Sequence, residues 1–170
     1  RFLPGTIANA NADDPCRLEL DILNSCPPYR GMDRSAGRFT VRPIPVSHTI
    51  DAVGFIVDDG ERSLGYSGDT GPTDRLWHHL NRQKNLAALL IEVSFPNGEQ
   101  AMATASGHHT PRTLAEDLAK FRSPADLAAF LYHIKPVFQA EVERECAQIK
   151  GVSLQVVKLQ DHFVDRKSVV

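Results

Sequence analysis

Short apolar runs, each closed by a polar or glycine-rich turn, recur through most of the chain and predict its strands. Loose alternation over 39–46 predicts a strand that ends near His48. Two further runs, 52–57 and 63–66, flank Asp59-Gly60, and an Asp-Gly pair between apolar runs is typical of a β-hairpin. The first half of the patterned region therefore predicts three strands, the last two joined by a tight turn.

The second half of the chain alternates between strand-like and helix-like patterns. The run from Leu86 to Phe95 is apolar apart from Glu92, which predicts a buried strand. Thr110-Pro111 is typical of a helix start, because threonine caps and proline is tolerated at the first helical position. Further patterns predict helices after Thr73 and over 137–149, and strands over 127–134 and 153–159. Strands that alternate with helices predict an α/β layered sheet.

The start of the chain lacks this periodicity. Residues 1–37 carry scattered prolines and glycines between polar residues, so we interpret them as an irregular linking or inserted segment. We interpret residues 38–170 as the layered α/β unit.

Charge and composition narrow the function. The 19 basic residues are outnumbered by 21 acidic ones, and this balance disfavours a nucleic-acid polymer as the main partner. No apolar run approaches the ~20 residues that span a membrane. The cysteines Cys16, Cys26 and Cys146 are sparse and unpaired in sequence, which favours reduced thiols. Reduced thiols and no visible leader favour the cytoplasm, with the periplasm left open.

Three side chains suited to metal binding fall at the predicted ends of strands. His48 follows the first strand, Asp69 follows the second hairpin strand, and His133 ends the run over 127–134. Strand ends are where α/β sheets build their sites. Imidazole nitrogen and carboxylate oxygen suit zinc, manganese or iron, so these residues indicate a divalent-metal site.

Two further features point to chemistry near that edge. Glu92 interrupts an apolar strand, and a carboxylate there either faces solvent at the strand end or is buried with a partner such as histidine. The turn Gly107-His108-His109-Thr110 precedes a predicted helix, whose N-terminus favours an anion such as phosphate.

Four motifs, in order, resemble the class II 3′,5′-cyclic-nucleotide phosphodiesterases of the metallo-β-lactamase superfamily, over about residues 40 to 160. They are Gly68-Asp69-Thr70-Gly71-Pro72, Ile91-Glu92-Val93-Ser94-Phe95-Pro96-Asn97, Gly107-His108-His109-Thr110-Pro111 and Tyr132-His133-Ile134-Lys135-Pro136. The resemblance implies an αββα sandwich and hydrolysis of cyclic AMP or cyclic GMP to the 5′-monophosphate. It also implies two divalent metals as cofactors, which we expect to be zinc, with manganese or iron as alternatives.

The resemblance also implies residue roles. His48, Asp69 and His133 match metal ligands, with Asp69 bridging the two ions. His108 matches a histidine that faces the phosphate and assists the leaving group, and Glu92 matches its acidic partner. The residues that we expect to contact the substrate are Thr70 and His109.

One family motif has no counterpart. His-x-His-x-Asp-His would supply four more ligands, but no histidine precedes His48. We therefore expect the second half of the sandwich plus a linking segment, with low activity alone. The alternatives are a non-catalytic or complementing fragment that associates with a missing N-terminal half or dimerises, and a superfamily hydrolase acting on an RNA end or a lactone. We expect no membrane partner.

Overall fold

A computed structural model describes residues 34–36, 39–122, 127–158 and 161. The strands are β1 (Arg34–Ala36), β2 (Phe39–Pro45), β3 (Val53–Asp58), β4 (Ser63–Tyr66), β5 (Leu86–Glu92), β6 (Ala128–Tyr132) and β7 (Leu154–Val156). The helices are α1 (Asp74–Leu80), α2 (Gln100–Ser106), α3 (Pro111–Leu118) and α4 (Gln139–Cys146), with short 3₁₀ turns at Asn97–Glu99 and Pro136–Phe138. Cys16 and Cys26 lie outside the described residues.

The strands form one sheet in which each strand pairs with its neighbour in sequence. β1 to β4 pair antiparallel, and β4 to β7 pair parallel. The predicted hairpin is confirmed: Val57 lies opposite Leu64, and Asp58 Oδ1 accepts the Gly60 N–H at 2.7 Å within the turn. Because β2 and β4 both run opposite to β3, they and the parallel strands end at the same edge.

The core lies between one face of this sheet and the helices. Inward positions of the strands alternate with outward ones, as strand geometry requires. Ile56, Leu89 and Leu131 project from the sheet into a buried cluster that also contains Trp77 of α1 and Leu114 of α3. The layered α/β arrangement predicted from the sequence is therefore present in the described residues.

A second apolar row lies on the other face of the sheet. Phe55 pairs with Tyr66, Tyr66 with Leu90, and Leu90 with Phe130, so the four side chains form a continuous row across β3 to β6. Phe130 is 8% exposed, and the other three are half-buried.

Two described elements were not predicted. β1 lies within the segment interpreted as irregular, and pairs with Phe39–Val41 of β2. Within the described residues, β1 does not extend along the proline-containing end of β2, where a missing N–H group is best tolerated. The helix α2 is the second unpredicted element. The helix predicted over 137–149 is present as α4 but is shorter than expected, because Pro136 opens a 3₁₀ turn before α4 begins.

Cys146 is buried in the core as a free thiol. Burial, with a smaller effect of Glu145, raises the pKa of this thiol to about 12. Among the described residues, no helix is long and apolar enough to cross a bilayer.

Candidate metal centre

Five chemically active side chains meet at the edge where the parallel strands end. Asp69, Glu92 and His133 come from the ends of β4, β5 and β6, and His48 follows β2. His108 comes from the turn between α2 and α3. The common edge is a consequence of strand direction, so the topology accounts for residues spread over most of the chain meeting there.

His48 is fixed by a backbone carbonyl. Its Nδ1 lies 3.0 Å from Gly107 O, and because a carbonyl can only accept, Nδ1 must carry the proton. The other ring nitrogen, Nε2, therefore keeps its lone pair, which is the form that binds a metal. His48 thus has the tautomer of a ligand held by an outer hydrogen bond.

Gly107 makes that contact possible by ending α2. Its φ of +74° is left-handed, the His108 N–H donates to Ala103 O at 2.9 Å, and the Gly107 N–H donates to Thr104 O at 3.3 Å. This is a Schellman ending, which favours glycine at its left-handed position. A Cβ on Gly107 would lie 2.8 Å from His48 Nδ1. The positions of both His48 and His108 therefore depend on glycine at position 107.

Asp69 and His133 approach each other closely. His133 Nδ1 lies 3.1 Å from Asp69 Oδ1, yet the pair does not meet hydrogen-bond geometry. Burial, opposed by Asp69 and assisted by Lys135, lowers the pKa of His133, so the ring is neutral at neutral pH and the contact is not an ion pair. Two ligands of one tetrahedral zinc ion are about 3.3 Å apart, which matches this separation.

Asp69 is directed by the backbone before it. Gly68 has a left-handed φ of +63°, and a Cβ there would collide with the Val53 carbonyl. Ser67 locks the same turn to β5, because its Oγ accepts the Glu92 N–H at 3.0 Å. The carboxylate of Asp69 is 45% exposed, so it remains accessible from solvent.

Glu92 is fully buried, which decides between the two interpretations of this residue. Its Oε1 accepts the His109 N–H at 2.8 Å, and its Oε2 accepts the Ser94 hydroxyl at 2.9 Å. The same Oε2 lies 3.4 Å from His108 Nδ1 and 4.0 Å from His133 Nδ1. The carboxylate therefore has histidine partners, and it does not face solvent.

His108 lies at the centre of the cluster. Its ring centroid is 4.9 Å from that of His48, 5.0 Å from that of His133 and 6.0 Å from that of Phe95. The side chain is 9% exposed. Of the two adjacent histidines, His108 is therefore the one that faces the site.

The residues present fit a divalent metal. The Nδ1 atoms of His108 and His133 are buried and lack a hydrogen-bond partner in the described part of the chain, a costly state that an ion would relieve. Glu92, His108 and His133 each place a ligand atom within 4.8 Å of the others. This group overlaps the predicted set of His48, Asp69 and His133 at one residue only, so the geometry leaves two assignments for the ligands.

The side chains of Thr70 and His109, the two residues expected to contact the substrate, are buried. Thr70 is fully buried, and its hydroxyl bonds to Ser47 and Gly71. His109 is also fully buried, with Nδ1 3.1 Å from Thr113 Oγ1 and Nε2 3.7 Å from an Asp117 oxygen. Burial lowers the pKa of His109. In the described structure these side chains stabilise the loops that carry the site, and their contact with the substrate stays a prediction.

Sequence reasoning missed the residues that support Glu92 and His133. Ser94 follows Glu92 by two positions, and the period-two rule for an extended chain could have placed both on one side. Lys135 Nζ lies 3.3 Å from His133 Nε2, a contact that no sequence pattern indicates.

Comparison with known proteins places the chain in a family. Residues 8–134 match the model of the beta-lactamase superfamily domain, and the chain belongs to that family. The match begins within residues 1–37, whose sequence pattern predicts a linking or inserted segment. No curated protein matches the chain at a significant level.

Solved structures resemble the chain in fold. The metallo-β-lactamase fold protein YhfI from Bacillus subtilis has a TM-score of 0.61 at 17% identity, over 76% of this chain and 51% of its own. Unliganded yeast PDE1 has a TM-score of 0.63 at 15% identity, over 75% and 47%. The short form of human tRNase Z has a TM-score of 0.54 at 17% identity, over 74% and 42%. The chain thus spans about half the length of these structures. The predicted fold class, α/β of the metallo-β-lactamase type, is confirmed.

Proposed function

We propose that the protein is a metal-dependent phosphodiesterase that hydrolyses cyclic AMP or cyclic GMP to the 5′-monophosphate. The observation that carries this proposal is the meeting of Asp69, Glu92, His108 and His133 at one sheet edge, with buried ring nitrogens that lack hydrogen-bond partners among the described residues. Membership of the superfamily supports metal-dependent hydrolysis. The motif resemblance to class II phosphodiesterases supports the cyclic-nucleotide substrate.

In this proposal Asp69, His133 and His48 hold the metal. Asp69 and His133 already have the separation of two ligands. Binding of an ion through Nδ1 would leave the ring proton of His133 on Nε2, so the Lys135 ammonium would no longer donate there. His48 has its Nε2 lone pair available. A bound divalent cation, expected to be zinc, supplies Lewis acidity and activates water near neutral pH. Two ions are expected from the resemblance, and Asp69 would bridge them because a carboxylate has two oxygens.

His108 acts on the departing oxygen. Its Nδ1 lies 3.4 Å from Glu92 Oε2, and Glu92 is held by the His109 N–H and the Ser94 hydroxyl. A carboxylate in this place orients the ring, so that a proton on the ring is directed to the 3′ oxygen. Glu92 is a positioning residue in this step, since it acts through His108.

The experiment separates metal ligands from the proton donor. The chain is purified, supplied with zinc, and assayed for bound metal by elemental analysis and for hydrolysis of cyclic AMP and cyclic GMP. Asp69→Asn and His133→Ala are expected to weaken zinc affinity at least about tenfold. His108→Ala is expected to keep the metal and to slow hydrolysis about 10²–10⁴-fold.

His78→Ala serves as the control, because His78 is exposed on α1 outside the cluster. Loss of metal in His108→Ala, with metal retained in Asp69→Asn, would assign the ion to the group of Glu92, His108 and His133. Absence of cyclic-nucleotide turnover, even when the missing ligands are supplied in trans, would refute the substrate assignment.

A second candidate is a complementing fragment. The four ligands of His-x-His-x-Asp-His are absent from the 170 residues, and the apolar row of Phe55, Tyr66, Leu90 and Phe130 would suit a facing sheet. Gel filtration alone and with a polypeptide carrying that motif tests this candidate. A complex with restored activity supports it, and a metal-free monomer without affinity for that polypeptide contradicts it.

A third candidate keeps the metal chemistry and changes the substrate. The structural likeness to human tRNase Z is the observation that favours a phosphodiester in RNA, while the slight acidic balance of the chain disfavours it. A panel of cyclic nucleotides, an RNA end and a lactone decides between these substrates.

A further inference from the structure

Lys135 lies next to the candidate metal centre without an acidic partner in the described part of the chain. Its Nζ is 3.3 Å from His133 Nε2 and 5.8 Å from the centroid of the Phe95 ring. Among the described residues, no carboxylate oxygen lies within ion-pair distance of this ammonium group. Lys120 shows the usual arrangement, since it reaches Asp74 at 2.6 Å and Asp117 at 2.7 Å.

The backbone of Lys135 is fixed beside the candidate metal centre. Its N–H donates to Ser94 O at 3.2 Å, which ties the segment after β6 to the end of β5. Its carbonyl accepts the Phe138 N–H at 2.8 Å, at the start of the 3₁₀ turn. The residue is half-buried, and its side chain extends from this anchored backbone.

The charges around His133 are divided between its two ring nitrogens. The carboxylates of Asp69 and Glu92 lie near Nδ1, at 3.1 and 4.0 Å, whereas Lys135 lies near Nε2. The carboxylates are therefore directed at the candidate metal position and, within the described residues, leave the ammonium without a counter-charge. A half-buried cation in that state is stabilised when an anion binds beside it.

We propose that Lys135 binds the phosphate group of the substrate. Its ammonium would donate a charge-assisted hydrogen bond to a non-bridging phosphate oxygen, with the phosphorus towards His108 and the metal ligands. The ammonium group also lies over the face of the Phe95 ring. This inference rests on the proposed phosphodiester chemistry, and it assigns the substrate anion to a residue outside the ligand set.

Inorganic phosphate is the probe for the first test. Its affinity for the zinc-supplied full chain is measured by isothermal titration calorimetry in wild type, Lys135→Met, Lys135→Arg and Lys150→Met. Methionine keeps the length of the side chain and removes the charge, arginine keeps the charge, and Lys150 is an exposed lysine away from the site. Thermal unfolding of each variant verifies that the fold is intact.

We expect Lys135→Met to weaken phosphate binding at least about tenfold, since hydrogen bonds to charged groups are worth more than neutral ones. Lys135→Arg should remain within about threefold of wild type, and Lys150→Met should be unchanged. Equal affinity in wild type and Lys135→Met overturns the inference, and so does an absence of phosphate binding by every variant.

Hydrolysis separates this inference from the proposed function. With cyclic AMP, Lys135→Met should raise KM more than it lowers kcat, because the contact exists before and during reaction. If phosphate binding depends on Lys135 but cyclic nucleotides are not hydrolysed, the inference stands and the substrate assignment fails. If cyclic AMP is hydrolysed and Lys135→Met has an unchanged KM, the substrate assignment stands and the inference about Lys135 fails.

Discussion

Replacing Gly107 by alanine tests how the turn after α2 controls the metal centre. The substitution has two separate costs. An L-residue at φ +74° costs about 1–2 kcal/mol, partly offset by a less flexible unfolded chain. The added Cβ would also lie 2.8 Å from His48 Nδ1 and 3.0 Å from Thr49 N, so the hydrogen bond from His48 to Gly107 O would break. Adding about 1–2 kcal/mol for this contact gives a total loss of about 2–3 kcal/mol.

Two other glycines separate these costs. Gly60 has a left-handed φ of +94° with nothing within 4 Å of an added methyl group, so Gly60→Ala should lose only about 1 kcal/mol. Gly98 has open space and no left-handed φ, so Gly98→Ala should stay within about 0.5 kcal/mol of wild type. Urea unfolding followed by the fluorescence of Trp77, the one tryptophan of the chain, measures all three.

The same variants report on the site. Gly107→Ala displaces His48, so its zinc affinity, measured by competition with a chromophoric chelator, should fall about tenfold. Gly60→Ala should keep the wild-type zinc affinity, because its turn lies at the far end of the hairpin. The reasoning is refuted if Gly107→Ala loses no more stability than Gly60→Ala and binds zinc like wild type.

Two further predictions concern the core. Asp117 is 1% exposed and accepts hydrogen bonds from the Trp77 indole at 2.8 Å and the Thr73 N–H at 2.9 Å. Asp117→Ala should therefore lower the free energy of unfolding, measured in urea, by about 3 kcal/mol. The control Glu116→Ala, at an exposed neighbour, should lower it by less than about 0.5 kcal/mol. A loss below about 1 kcal/mol in Asp117→Ala would contradict the prediction. The raised pKa of Cys146, about 12 against an ordinary 9.0, means that the unfolded thiol ionises first. The free energy of unfolding should therefore fall as pH rises from about 9 towards 12, and it should fall less steeply in Cys146→Ala. Iodoacetamide at pH 8 should label Cys146 only after the protein unfolds. Rapid labelling of Cys146 in the native protein would argue against a buried thiol.

The parallel strands, and the hairpin that joins β3 to β4, were predictable because the local sequence pattern agrees with the burial of these strands in the folded protein. Leu89 and Ile91 are fully buried in β5, as a continuous apolar run requires. The capping box at Thr110 likewise agrees with the start of α3, where Thr113 N–H donates to the Thr110 hydroxyl. Each of these signals lies within a few residues of its effect.

The elements that were missed depend on contacts from elsewhere in the chain. The helix α2 has one buried residue, Ala103, so it presents no apolar stripe that a periodicity argument could detect. β1 is three residues long and is defined by its pairing with β2. Neither element carries enough local information to be recognised before the sheet is assembled.

The adjacent histidines show why motif matching reaches the site but not its geometry. The resemblance assigns His108 to the leaving group, and His109 is expected to contact the substrate, although both are present in one short turn. The structure separates them. The buried His109 ring contacts Thr113, while Glu92, which is distant in sequence, accepts the His109 N–H and directs its other oxygen towards His108. Glu92 thereby links the two roles, since the same carboxylate fixes the backbone of one histidine and orients the ring of the other. A Glu92→Gln change would keep the first contact and weaken the second, so the sequence motif defines the location of the site, and the buried carboxylate determines which histidine faces it.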